Sequence, residues 1–350
     1  LWAEPLLLAM GQTPQVAADA GAYLAIAGWG MIPGLGVMLL KAYLAALERT
    51  RVVLWVTVAA ALVNAALNWV LIFGNLGFPE MGIRGSAIAS VAVHVVSLVL
   101  LVLYAVRSFP EHALFVRLWR PDWGAFARVF RLGWPIGLTN LAEVGLFAFS
   151  AIMVGWLGTV PLAAHGIVMQ LGSATFMVHL GLSTAATSRA GKAAGRNDAP
   201  HLRRGGHVVV AMSVAFALLT AALFVAVPET LVGRYVDPTD PARPAILALG
   251  VQLVLMAALF QMMDGLQVVA LGLLRGVQDT RAPMYLAGVS YWIVGVPAGY
   301  LAGFVLGWGA IGVWSGLTLG LACAAVLLMH RFWRRVDLPA GAPPGAAQAA

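Results

Sequence analysis

The sequence predicts an all-α integral membrane protein, and three observations predict it. Hydrophobic residues make up 61% of the 350 positions and charged residues only 10%, with a mean hydropathy of +0.89. No soluble domain of this length has such a composition. The apolar residues fall into nine runs of about 20 residues or more, each able to cross a hydrocarbon core of about 30 Å. Finally, Lys and Arg alternate between the two sides that those nine crossings define.

The runs are approximately Gly21 to Lys41, Val52 to Gly74, Ser86 to Val106, Leu132 to Trp156, Val160 to Thr187, Gly205 to Val232, Ile246 to Gly272, Pro283 to Val305 and Trp308 to His330. Segments after the odd-numbered runs hold 18 Lys and Arg residues; the opposite side holds only Arg84, Arg234 and Arg243. Cytoplasmic loops carry the positive excess, so the C-terminus is expected in the cytoplasm and residue 1 outside. The formal charge of +7 therefore reflects topology. It forms no aromatic-interleaved patch for nucleic acid.

An internal repeat organises the runs. Tyr43-Leu-Ala-Ala-Leu-Glu-Arg-Thr-Arg51 resembles Leu273-Leu-Arg-Gly-Val-Gln-Asp-Thr-Arg281, and about one helix later Gly82-Ile-Arg-Gly85 recurs as Gly309-Ala-Ile-Gly312. The offsets are 230 and 227 residues, and both copies run the same way across the membrane. That is a parallel repeat about an axis along the membrane normal, with six helices per half. Residues 1–106 are then expected to be the end of a third helix (Leu1 to Met10) and helices four to six of a first lobe, three helices lying upstream. Residues 132–335 form a complete second lobe. Residues 107–131, with five arginines and Trp119, Trp123, Phe126 and Phe130, are expected as a cytoplasmic interfacial linker. The Ala, Gly and Pro-rich tail, 336–350, is expected to be disordered.

Enzymatic readings lack support. Cys323 is the one cysteine, which excludes a disulfide framework or a cysteine metal cluster. Gly191-Lys192 lacks the P-loop glycine and hydroxyl, having Ala186 and Ala193 there. Ser183 with His179 or His165 lacks a nucleophile elbow. The chain is read as no enzyme.

Two carboxylates lie at membrane depth: Glu143, in the run from Leu132, and Asp264, in the run from Ile246. A charge at the bilayer centre costs about 3 kcal/mol on insertion scales, so such residues mark ion or substrate pathways. Counted from the cytoplasmic ends of their runs they sit at roughly 17 and 12 Å, compatible with one shared site. Two carboxylates in one low-dielectric pocket repel; they hold a proton or bind Na⁺, and a cationic cargo competes for the same charge. Asn140, one turn before Glu143, is a candidate lining residue. So are Phe147 and Phe260, and Gln261 and Gln267, which flank Asp264 at helical spacing, with ordinary interhelical hydrogen bonds as the stronger reading of the two glutamines. With Phe149, Met169, Phe176, Met177, Met262 and Met263, Phe147 offers a candidate adaptable apolar surface.

Six segments stand out: Gly133-Trp-Pro-Ile-Gly137 with Glu143, Val154-Gly-Trp-Leu-Gly158, Leu162-Ala-Ala-His-Gly-Ile167, Gly11-Gln-Thr-Pro14, Asn68-Trp-Val-Leu-Ile-Phe-Gly74 and Leu274-Arg-Gly-Val-Gln-Asp-Thr-Arg281. Together they resemble the multidrug and toxic compound extrusion (MATE) family, in its bacterial NorM-like branch. The resemblance runs from the start to about Arg335. It implies two lobes of six helices and a monomeric inner-membrane antiporter exporting organic cations such as drugs and dyes against Na⁺ or H⁺, with no other cofactor. It implies, too, that Glu143 and Asp264 are the cation-coupling acids of the C-terminal lobe and Na⁺ ligands where Na⁺ is the ion. The family often has Tyr one turn before that aspartate; this chain has Phe260, which removes a hydroxyl contact. The alternative is a flippase for lipid-linked oligosaccharides on a related fold, for which a cationic lobe surface is expected.

Overall fold

A computed structural model describes Glu4, Pro5, Leu8 and residues 14–116 and 120–336. The expected third-helix tail (Leu1 to Met10, of which only three residues are described), the motif residues Gly11 to Thr13, Arg117 and Trp119 of the linker and the tail beyond Val336 lie outside the described residues. Among those described, helices alone form, and nine are long and apolar enough to cross a membrane: Ala17–Ala46, Thr50–Phe73, Gly82–Ser108, Trp123–Trp156, Thr159–Gly195, Ala199–Ala226, Arg243–Gly276, Arg281–Val305 and Gly309–Val336. The chain divides into two compact units at Pro121 and Asp122.

In the first unit, α1 (Pro14–Ala27) runs through a 3₁₀ turn into α2 (Met31–Ala46), followed by α3 (Thr50–Phe73) and α4 (Gly82–Ser108). Helix α4 is the centre, packed by the other three. Leu40 and Leu44 of α2 meet Leu101 and Ala105 of α4 in a small apolar core. Outward faces stay apolar, with Leu39 and Leu62 70% and 68% exposed, as lipid contact demands.

The second unit holds α5 (Trp123–Trp156), α6 (Thr159–Gly195), α7 (Ala199–Ala226), the short α8 (Pro228–Gly233), α9 (Arg243–Gly276), α10 (Arg281–Val289), α11 (Val296–Tyr300) and α12 (Gly309–Val336). Helix α5 begins at Trp123, well before the apolar run at Leu132. Asp122 caps it, its Oδ1 accepting from the Ala125 amide at 2.9 Å. Its first turns expose Trp123, Phe126 and Phe130, which pair edge to face and stacked, the habit of aromatics at a membrane interface. Helix α7 stops at Ala226, because Pro228 starts a new short helix.

Helix α9 is the hub, packed by α6, α7 and α12 and buried on nearly every side in its second half. Small residues and hydroxyls bring α6 and α9 together: Ser183 Oγ donates to the Val268 carbonyl at 2.7 Å and Thr187 Oγ1 to that of Gly272 at 2.9 Å. The span Arg281–Val305 is irregular. Two π-helical stretches, Ser290–Gly295 and Leu301–Val305, flank α11 with its Pro297, whose missing N–H frees a carbonyl that a wider turn accommodates. Gly295, Gly299 and Gly303 of this span face Gly312, Gly316 and Gly320 of α12, and a Cβ on Gly316 would overlap the Gly299 backbone. The two backbones touch directly.

The two copies of the repeat share their backbone geometry. Glu48 and Gln278, which correspond, both have φ of 60°. Each follows a helix end, and the next amide bonds back across the turn, Arg49 N to Leu44 O and Asp279 N to Leu274 O, both at 2.9 Å. This is a left-handed helix cap. Gly82 and Gly309, corresponding at the second offset, both have positive φ, 51° and 58°.

Candidate functional site

The second unit contains a cavity of about 480 Å³ between α5, α6, α9 and α12. From α5 come Asn140, Glu143 and Phe147; from α6, Met169, Ser173 and Phe176; from α9, Phe260, Asp264 and Arg275; from α12, Trp314. Glu143 and Asp264, far apart in sequence, thus line one cavity from two different helices. Asp264 is only 3% exposed. Its Oδ1 is buried with no hydrogen-bond partner among the described residues, which leaves a lone pair for a cation or a proton. No cluster of three or more His, Cys, Asp and Glu occurs among those residues.

Five of the seven candidate residues line this cavity: Glu143, Asp264, Asn140, Phe147 and Phe260. Gln261 and Gln267 do not. Gln261 is fully buried against α6, its Nε2 donating to the Gly172 carbonyl at 2.8 Å and to Thr175 Oγ1. Gln267 Nε2 donates to the Tyr291 hydroxyl at 2.6 Å, on the irregular span. Both tie α9 to its neighbours. Of the wider apolar set, Met169 and Phe176 reach the cavity, whereas Phe149, Met177, Met262 and Met263 do not line it.

Arg275 is the residue that sequence reasoning missed. Counted among the cytoplasmic charges, it instead lines the cavity, where its Nη2 donates to Asn140 Oδ1 at 2.8 Å. It interacts electrostatically with Glu143. Its position three turns after Asp264 on the same helix was the available signal, since residues eleven apart return to one face.

Aromatic rings line the same cavity one turn from each acid, Phe147 four residues after Glu143 and Phe260 four before Asp264. Phe147 and Phe260 meet edge to face at 6.1 Å, and Phe260 meets Trp314 at 5.3 Å. Trp314 is held in turn by its indole N–H, which donates to His165 Nδ1 at 3.1 Å. His179 shares a 2.9 Å hydrogen bond with Ser213, and Ser183 donates to Val268. The imagined Ser–His pairs are therefore separate structural contacts.

Nine membrane-length helices among the described residues, and a cavity that gathers charged side chains between four of them, define a multi-pass membrane protein of the transporter class. The MatE family model matches residues 1–70 and 135–301. The chain is 46% identical over 347 residues to the probable multidrug resistance protein NorM of Rhizobium meliloti, covering 98% of this chain and 74% of the relative. It is 45% identical over 332 residues to the protein of that name from Agrobacterium fabrum, covering 94% and 71%. The fold is similar to the crystal structure of a eukaryotic MATE transporter, AtDTX14, with a TM-score of 0.81, 19% identity and coverage of 96% of this chain and 76% of that one. The chain belongs to the MatE family.

Proposed function

We propose that the chain is a multidrug efflux transporter that exports small organic cations in exchange for Na⁺ or H⁺ by alternating access, with Glu143 and Asp264 as the groups for which ion and cargo compete. The observation that carries this reading is the convergence of the two carboxylates, from α5 and α9, on one cavity that aromatic side chains also line. With both acids ionised and Arg275 charged, the cavity keeps a formal negative charge, which favours a cationic occupant. The half-buried rings of Phe147 and Phe176, with Phe260 and Trp314 buried beside them, suit a flat, apolar cation. A proton or Na⁺ taken up by the acids removes the attraction and expels the cargo. Binding and release make and break no covalent bond, so the protein is not an enzyme.

The charge asymmetry supports a C-terminus in the cytoplasm of a bacterial inner membrane. We take the working form to be a monomer, and the lobe boundaries at 106, 131 and 335 to be those of the family's two six-helix halves. A flippase for lipid-linked oligosaccharides would call for a predominantly cationic cavity, and here one arginine stands against two carboxylates.

Efflux of a fluorescent organic cation from proteoliposomes, driven by a Na⁺ or a pH gradient, tests the reading. Glu143→Gln and Asp264→Asn are expected to abolish gradient-driven efflux, and the gradient that works in the wild type names the ion. Unchanged efflux in both variants would overturn the assignment of the acids; no cation efflux by the wild type would overturn the function.

A further inference from the structure

A second cavity, of about 300 Å³, opens between α6 and α7 and is separate from the acid-lined one. One end is basic: Arg189, His201 and Arg204 line it where the two helices meet in a short turn. The remainder is apolar, built from Leu182, Ala185, Val208 and Met212 with Leu273 of α9 behind. Arg189 and Arg204 are exposed, and neither makes an ion pair or hydrogen bond among the described residues. Between Arg204 and Met212 the groove follows about 12 Å of helix axis, the length of a substantial part of an acyl chain. Gly205 lies in its wall, with nothing within 4 Å of where a Cβ would stand.

We infer that this groove binds one acidic phospholipid, its phosphate held by Arg189 and Arg204 and one acyl chain laid against Leu182, Val208 and Met212. The chemistry matches at both ends. Two guanidiniums without a protein carboxylate present forked donors to a phosphate, and basic pockets between membrane helices recruit anionic headgroups. The apolar depth selects a lipid over a free anion. The basic end belongs to the side that the charge count assigns to the cytoplasm, where acidic headgroups supply the ligand.

Native mass spectrometry of the detergent-solubilised chain, titrated with dioleoyl phosphatidylglycerol, dioleoyl phosphatidylcholine or inorganic phosphate, tests the proposal. One phosphatidylglycerol is expected per chain, in preference to phosphatidylcholine. The double variant Arg189→Gln/Arg204→Gln is expected to bind it about 25-fold more weakly, about fivefold per arginine. Gly205→Leu plugs the groove while leaving the charges in place and is expected to lose binding as well; Ala185→Leu does the same from the facing wall should Gly205→Leu not fold. The inference is overturned if the plugged variant holds phosphatidylglycerol as tightly as the wild type, if phosphatidylcholine binds equally well, or if inorganic phosphate displaces the lipid.

Discussion

Arg275 of α9 donates from Nη2 to Asn140 Oδ1 of α5 at 2.8 Å, and this bond joins two helices that also meet through Phe147 and Phe260. The guanidinium is thereby held in the cavity beside Glu143 as a tethered cation. If it competes with cargo for the acids, Arg275→Gln should tighten binding of an organic cation by about tenfold, equivalent to about 1.4 kcal/mol. Fluorescence titration in detergent reads this directly. Equal or weaker affinity in the variant would show that Arg275 organises the cavity and does not compete within it.

Asp264 presents the opposite case, a buried acid with an unpartnered oxygen. Such a group is kept for function at a cost in stability. Asp264→Asn should therefore melt at or above the wild-type temperature while losing coupled efflux. A lower melting temperature would indicate that the carboxylate supports the bundle.

The glycine seam between the irregular span and α12 leaves no room for a methyl group at Gly316. Gly316→Ala is expected to destabilise the protein by about 1–3 kcal/mol through forced separation of the backbones. Gly288→Ala, where nothing lies within 4 Å, should be neutral or stabilise by up to about 1 kcal/mol through helix propensity. Denaturant unfolding of the two variants in parallel separates sterics from propensity.

Asp279 is 7% exposed and accepts from Arg331 at 2.8 Å and lies 3.3 Å from Arg335, both guanidiniums being about a quarter exposed. It ties the turn after α9 to the end of α12. Asp279→Asn leaves two arginines facing one neutral amide and should cost about 2 kcal/mol, less than a fully buried pair would. A thermal melt in which the variant matches the wild type would refute that role.

Gln278 carries a left-handed backbone at φ 60°, a conformation that Gly adopts without a Cβ penalty. Gln278→Gly should stabilise the turn by up to about 1 kcal/mol. A loss of stability would mean that the Gln side chain contributes more than the strain it imposes.

The nine crossings were legible because lipid exposure keeps every outward face apolar, so hydropathy alone finds the helices. The repeat was legible as well, down to Glu48 and Gln278 with one shared backbone angle. Two features were not, and a third was legible only in kind. Helix α5 begins at Trp123, ahead of its apolar run, since its first three turns carry Arg128 and Arg131, which dilute the hydropathy signal. The π-helical stretches leave no periodic mark. Helical spacing grouped Gln261 and Gln267 with Asp264, but on a helix surrounded by neighbours a turn of about 60° to either side meets a different partner: Gly172 for one, Tyr291 for the other. The same spacing argument would have found Arg275, had its charge not been assigned to the loop.

The rings of Phe147, Phe260 and Trp314, each braced by the next, give the chamber an apolar lining with no donor pattern that a ligand must match, since Phe260 brings no hydroxyl and the Trp314 N–H is held by His165. On the function proposed here, a chamber of that kind recognises charge and flatness and disregards the pattern of substituents. A cell that carries it would be protected against compounds unrelated to one another by synthesis or target, including some it has never encountered.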